Sequence, residues 1–167
     1  MLPHRTRGVA LVVENPHGEI IILQEFETKS RLGKYAGMFS IPMETSYPGE
    51  DDRSALGRLI AEELPGVGAH IEVWHPRIGV YRIVPRVWVS LYRARLERVS
   101  LPAAASTRAE VGNHAWLTPQ KAVTLWLRQG AREMLSDCLH GRHGVVCRRC
   151  APPPPVTPDP SLLRRGP

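Results

Sequence analysis

The sequence predicts an α/β domain, and three stretches carry that prediction. Gly8–Glu14 and Glu19–Glu25 are two short runs rich in Val, Leu and Ile on either side of Asn15-Pro16-His17-Gly18, which reads as a hairpin, because a parallel pair would need a longer crossover. Residues 51–64 place Leu56, Leu59, Ile60 and Leu64 at spacings of three and four, the signature of a helix with one apolar face. Thr118-Pro119 joins a natural helix N-cap to a residue suited to the first helical position. A chain of 167 residues is of a size for one domain with a real core.

Taken in order, the first two strand runs are almost continuously apolar, as expected of strands covered on both faces. The N-terminal basic residues ahead of a short apolar run also allow a signal peptide. Glu14 cuts that run short and no small-residue cleavage site follows, so a strand in a cytoplasmic protein is the preferred reading. Thr28–Met38 is polar and Gly-containing, and reads as loop. Phe39–Ile41 forms a short strand, with Phe39 as a core anchor. Pro42–Glu50 is rich in turn formers, and the helix begins at Asp51 or Asp52 and stops at Pro65-Gly66. Strands follow at 69–74, 79–84 and 86–93, with Pro85 as a break or bulge between the last two. Alternation puts Val87, Val89 and Leu91 on one face and Trp88, Ser90 and Tyr92 on the other. His70 and His75 stand near strand ends and read as polar surface. Ser100–Arg108 reads as a loop. From Pro119 one helix is expected to about Leu139, weakened at Gly130, with Val123, Leu127, Met134, Leu135 and also Trp126 towards the core.

Residues 151–167, beginning APPPPVTPDP, are a polyproline segment expected to be disordered. Before it, residues 141–150 form a Cys/His-containing segment. Cys138, His143, Cys147 and Cys150, with His140 nearby, offer a zinc-knuckle option; only one ligand pair has standard spacing, and reduced thiols are the default. The organisation is therefore 1–140, 141–150 and 151–167. The formal charge is +6; five Arg against one Asp from Gly141 onward supply +4 and leave about +2 for the body. The body is thus not a strongly basic nucleic-acid binder, and no apolar run reaches transmembrane length.

The chemistry-bearing stretch is PMETSYPGEDDRSALGRLIAEELPG. Glu50, Glu62 and Glu63 place carboxylates on one loop–helix unit, the oxygen donors a hard cation prefers. The same spacing also reads as the solvated acidic edge of a helix.

These residues resemble the signature of the Nudix hydrolases. Gly49-Glu50, seven residues, Arg58, an aliphatic at Ile60, and Glu62-Glu63 follow its spacing, and Pro42, Ala55, Glu110-Val111, Trp116-Leu117 and Thr118-Pro119 resemble its flanks. The departures are Glu44 where the signature has its first Gly, Leu59 where it has the Glu after the Arg, and Pro65 where it closes on Gly. The resemblance spans roughly Gly8–Leu139. It implies an α/β/α sandwich with a mixed sheet and hydrolysis of a nucleoside diphosphate linked to another moiety, with Mg²⁺ (or Mn²⁺) as cofactor and a nucleotide-type small molecule as partner. It assigns Glu62 and Glu63 as metal ligands, Glu50 as a further ligand or as the lock of the loop through Arg58, and Glu63 and Glu110 as catalytic. Glu110 would activate water, and Arg58 and Glu44 would position the loop. Leu59 leaves a gap that a glutamate there, projecting towards Glu62 and Glu63, would fill. The alternative is a catalytically weak or inactive Nudix fold that binds a nucleotide or a protein.

Overall fold

Strand β1 (Thr6–Glu14) is buried on both faces from Gly8 to Val13, and its alternation builds the two cores of the molecule. Val9, Leu11 and Val13 join the apolar cluster of helix α1 (Asp52–Glu63), with Ala55, Leu56, Leu59, Leu64 and Val67. Ala10 and Val12 point the other way, into the cluster completed by α2 (Pro119–Ala122), α3 (Ala131–Leu139) and the stretch between them through Ala122, Leu127, Ala131, Met134 and Leu135. A period-two strand with apolar residues at every position demands a covering layer on each side, and the α/β/α sandwich supplies both. This computed structural model describes residues 5–102 and 110–153.

The remaining strands are β2 (Ile20–Glu25), β3 (Phe39–Ser40), β4 (Met43–Thr45), β5 (Ile71–Trp74), β6 (Gly79–Val84), β7 (Val87–Leu96), β8 (Val111–Leu117) and β9 (Val145–Arg149). The sheet is mixed: β1 runs parallel to β7 from Thr6↔Val87 to Glu14↔Arg95, β6 runs parallel to β9, and the other pairs are antiparallel. The expected hairpin holds only at its base, Glu14↔Ile20, where the Asn15 side chain accepts the N–H groups of His17 and Glu19. Beyond that point the segment containing β3 and β4 enters between the two strands: Phe39 and Ser40 pair with β2, and Met43–Thr45 with β1. This wedge carries the loop that precedes α1 into the middle of the sheet.

Gly8 sits opposite Thr45, and a Cβ on it would lie 2.7 Å from the Glu44 carbonyl oxygen. The close approach is thus accommodated on β1, and Glu44 itself takes ordinary strand backbone rather than a glycine-only conformation.

One expectation is corrected. The helix expected over 119–139 is two helices with an irregular stretch between them. Phe39 N–H donates to the Trp126 carbonyl and Arg128 N–H to the Phe39 carbonyl, so β3 claims the intervening backbone. Gly130 then sits at φ 92, outside helical space, where a Cβ would meet Ile83 at 2.3 Å. The Cys/His-containing segment, in turn, folds back as edge strand β9 against β6. Buried Asp137 fastens it, accepting the Tyr81 hydroxyl at 2.8 Å and the guanidinium groups of Arg142 and Arg148. Of the expected polyproline tail, 154–167 lie outside the described residues, as do 103–109 of the expected Ser100–Arg108 loop. Among the described residues no helix is long and apolar enough to cross a membrane.

Candidate functional site

The site is built on the turn and helix that follow the wedge. Pro48-Gly49 forms the corner, with Gly49 at φ 78 and Glu50 N–H donating to the Tyr47 carbonyl at 3.0 Å. Asp51 caps α1 by accepting Ser54 N–H at 2.7 Å. Arg58, one face round from the apolar stripe, reaches back to the loop. It donates through Nε and Nη2 to the two oxygens of Glu50, at 2.8 Å each, and through Nη2 to the Thr45 carbonyl at 2.8 Å. The exposed Tyr47 ring lies against the guanidinium, 3.8 Å from centroid to carbon. Hydrogen bonds from Arg58, then from Tyr47 N–H, hold the Glu50 carboxyl at about 2. Of the two roles open to Glu50 on sequence, its oxygens are engaged in the lock between loop and helix.

Glu62 and Glu63 follow one turn on. Glu62 is exposed. Glu63 is half-buried, and its Oε2 accepts the Met43 N–H at 3.1 Å, fixing it against β4. Burial pushes its carboxyl well above the usual range, the nearby Glu25 carboxylate pushes further, and Arg128 only partly offsets them. Glu44 is raised as well, by burial and then by the charge of Glu62, against the pull of Arg58 Nη1 at 3.7 Å. His114 donates from Nε2 to the Glu63 carbonyl at 2.7 Å, and burial lowers its proton affinity. It clasps the C-terminal end of α1, where carbonyls lack helical partners.

Leu59 is not at the edge of this patch. It is 0% exposed and belongs to the α1–β1 apolar cluster. The expected gap in the carboxylate set is therefore a core position, because the fourth residue before Glu63 takes the inner side of the helix here.

Glu110, at the entry to β8, has both oxygens engaged: Lys29 Nζ at 2.7 Å and Lys34 Nζ at 3.2 Å. The hydrogen bond from Lys29, then that from Lys34, lowers its proton affinity against the effect of partial burial. Lys34 also meets Glu25 at 3.2 Å, and Arg128 Nη1 meets the other Glu25 oxygen at 3.2 Å. Glu25, Lys34 and Arg128 are all buried, and sequence reasoning passed them over. Their signal was charge inside apolar context: Glu25 closes the β2 run, and Arg128 follows Leu125 and Leu127. Charges so placed must be paired, because each alone would lose several kcal/mol of hydration.

Glu44, Glu62 and Glu63 are oxygen donors of the kind a hard divalent ion takes; Glu44 feels the charge of Glu62, and Glu63 that of Glu25 and then Glu44, on top of burial. As the side chains stand, no group of three or more His, Cys, Asp or Glu among the described residues is arranged to hold a metal. That finding also removes support from the zinc option. Cys138 and Cys150 pack against the β6–α3 core, while Cys147 is exposed and accepts the Trp88 indole N–H at 3.4 Å.

No family model matches the sequence, and no curated protein does. Solved structures match the fold. The Nudix hydrolase from Nitrosomonas europaea superposes with a TM-score of 0.61 over 83% of this chain and 91% of that one, at 17% identity. An ADP-ribose pyrophosphatase from Streptococcus suis 89-1591 gives 0.60 over 86% and 98%, at 14% identity. The crystal structure of the complex between the C-terminal domain of mouse MUTYH and human PCNA supplies a further match, at 0.56 over 84% and 93%, with 16% identity. The chain has the Nudix fold.

Proposed function

We propose that this chain is a divergent Nudix hydrolase that cleaves a nucleoside diphosphate linked to another moiety, with Mg²⁺ or Mn²⁺ as cofactor. The observation that carries this reading is Glu63: a half-buried carboxyl of raised proton affinity, beside Glu44 and Glu62, on a helix held to its loop by Arg58 and Glu50. Glu62 and Glu63, with Glu44, would hold the ion, which supplies neutralising charge to the phosphate oxygens. Glu50 keeps its task in the lock. Glu63 would take the proton of the attacking water, its proton affinity being raised by burial. Glu110, the base expected from the sequence, is the poorer candidate because two ammonium groups occupy its oxygens. The free thiols accord with a cytoplasmic setting.

A panel of nucleotide pyrophosphates incubated with Mg²⁺ or Mn²⁺ tests the proposal by released nucleotide. Turnover that needs the ion and falls with Glu63→Gln is the expected result; no turnover on any member would overturn it. The second reading, a binding module, is favoured by the burial of Leu59 and by the match to a structure that is a complex of two proteins. Calorimetry on the same panel separates the two, since a module binds without turnover.

A further inference from the structure

Strands β6, β7 and β9 send Tyr81, Ile83, Val87, Val89, Leu91 and Val145 towards the α3 side of the sheet. On the other side the α1 cluster draws on β1, on Ile21 of β2 and on the far end of β7, Ala94 and Leu96, and includes nothing from β6 or β9. Among the described residues no helix lies over that corner of the sheet. Trp88 stands there, with the guanidinium of Arg5 at 5.1 Å and that of Arg82 at 5.7 Å from its ring. Its indole N–H donates to Cys147 Sγ, so β9 fixes the ring's orientation. Arg149 lies beside Arg82 in the parallel β6–β9 register and is exposed.

Several arginines of the body are neutralised by a carboxylate, among them Arg7 by Asp52, Arg58 by Glu50, Arg93 by Glu14, Arg128 by Glu25 and Arg148 by Asp137. Arg5, Arg82 and Arg149 have no carboxylate partner among the described residues. Two guanidiniums over one indole, with the exposed Arg149 next to Arg82 in the strand register, combine two things on a sheet face that no described helix covers. The cations attract phosphates, and a flat aromatic and its stacked guanidiniums give bases a surface that tolerates any sequence.

We propose that this face binds single-stranded nucleic acid, at a site separate from the Glu62–Glu63 centre. The modest net charge of the body conceals the site, because acidic residues elsewhere offset arginines gathered in one corner. The planar stacking partners favour an oligonucleotide over a lipid surface, whose headgroups offer charge without planar rings.

The test is fluorescence anisotropy with the full chain and labelled single-stranded uridine and thymidine oligonucleotides of about 15 nucleotides, a length suited to one such platform. Binding is expected at about 50 mM salt and should weaken steeply towards about 200 mM. The double variant Arg82→Gln/Arg149→Gln should flatten the log–log salt slope by about 1.4, about 0.7 for each phosphate left without its guanidinium on a single strand. Trp88→Leu should weaken binding about tenfold by removing the stacking surface. Arg53→Gln, on the first turn of α1, should change nothing. Arg149 is a surface side chain, so Arg149→Gln alone, with an unchanged melting temperature, keeps the test valid if a Trp88 variant folds poorly; it should flatten the slope by about 0.7. Absence of binding at low salt, or binding that the arginine variants leave intact, overturns the proposal. Binding to phosphatidylserine vesicles but to neither oligonucleotide overturns it in favour of a membrane surface.

Discussion

Arg58 closes on both oxygens of Glu50, Nε to Oε1 and Nη2 to Oε2, and the paired bonds are of equal length, 2.8 Å. A planar guanidinium facing a carboxylate in this way fixes orientation as well as distance. The loop between β4 and α1 thereby becomes part of the helix's frame, and Glu44 is held near enough for its charge to be felt at Glu63.

The lock should be visible in acid. The Glu50 carboxyl is held at about 2 against an ordinary value of 4.5. A group depressed on folding contributes stability that is fully present above its unfolded value and is lost as pH falls towards its folded value. The urea midpoint of the wild type should therefore exceed that of Glu50→Gln at pH 6, and the difference should shrink below the ordinary carboxylate value and vanish near pH 2. A difference that stays constant across that range would show that Glu50 acts by packing and not by charge. Arg58→Lys should lose most of the same difference, because an ammonium cannot make the paired contact.

Glu63 behaves with the opposite sign. Its carboxyl is raised by burial and by Glu25, so its contribution to stability is present below the unfolded value and is lost as pH rises through the folded one. Glu63→Gln keeps an oxygen for the Met43 N–H and removes the charge. The variant should melt higher than wild type at pH 7 to 8 and level with it near pH 4. Turnover should fall by about 10²-fold to 10⁴-fold if the carboxylate is the base. A variant that is less stable than wild type at neutral pH would contradict the raised proton affinity directly.

What the sequence made legible is local. The Asp51 cap, the apolar stripe of Leu56, Leu59 and Leu64, the Thr118 cap and the alternation of Val87, Val89 and Leu91 all rest on residues within a few positions of each other, and each is observed. The Arg58–Glu50 pairing was accessible for the same reason, as one of two roles open to Glu50. Distance along the chain hid the rest. Glu25 and Arg128 are 103 residues apart, and neither carries a periodicity that names the other. The break after Ala122 depends on hydrogen bonds to Phe39, so no window confined to 119–139 contains its cause. Strand β9 lies in a segment whose Cys and His spacing suggested metal, whereas its position follows from Asp137 and the open edge of β6.

Asp137 offers a test of that attachment. Burial raises its carboxyl, but hydrogen bonds from Arg148 and then Tyr81 outweigh it and leave the group below its usual range. Asp137→Ala would strand the Tyr81 hydroxyl and free both arginines, a loss of about 3–5 kcal/mol for breaking a buried charged network. The thiols report the consequence independently. Burial pushes Cys138 and Cys150 up to about 12, and Cys147 is exposed, so iodoacetamide should label Cys147 first in the wild type. In Asp137→Ala, Cys150 should become reactive as β9 detaches. Stoichiometric zinc in the purified protein, or equal labelling of all three thiols, would refute this account.

Leu59 decides how the loop–helix unit is to be understood. By sequence alone a glutamate there points at the patch of Glu62 and Glu63 and completes it. In the fold the side chain is fully buried in a cluster with Val9, Leu11, Val13, Ala94 and Leu96. Burying a leucine contributes about 1.5–3 kcal/mol, and truncation adds the penalty of the cavity, so Leu59→Ala should cost about 2–5 kcal/mol. Leu59→Met, which conserves volume, should cost less than about 1.5 kcal/mol. Leu59→Glu should be at least as harmful as the alanine, because the cluster is apolar and includes no cation to offset a buried carboxylate. Urea unfolding with and without Mg²⁺ distinguishes the two views. The buried position predicts a destabilised variant whose midpoint the ion does not restore. A Leu59→Glu protein as stable as wild type, with a midpoint that rises on adding Mg²⁺ more than the wild type's does, would mean that α1 presents this residue to the carboxylate patch after all.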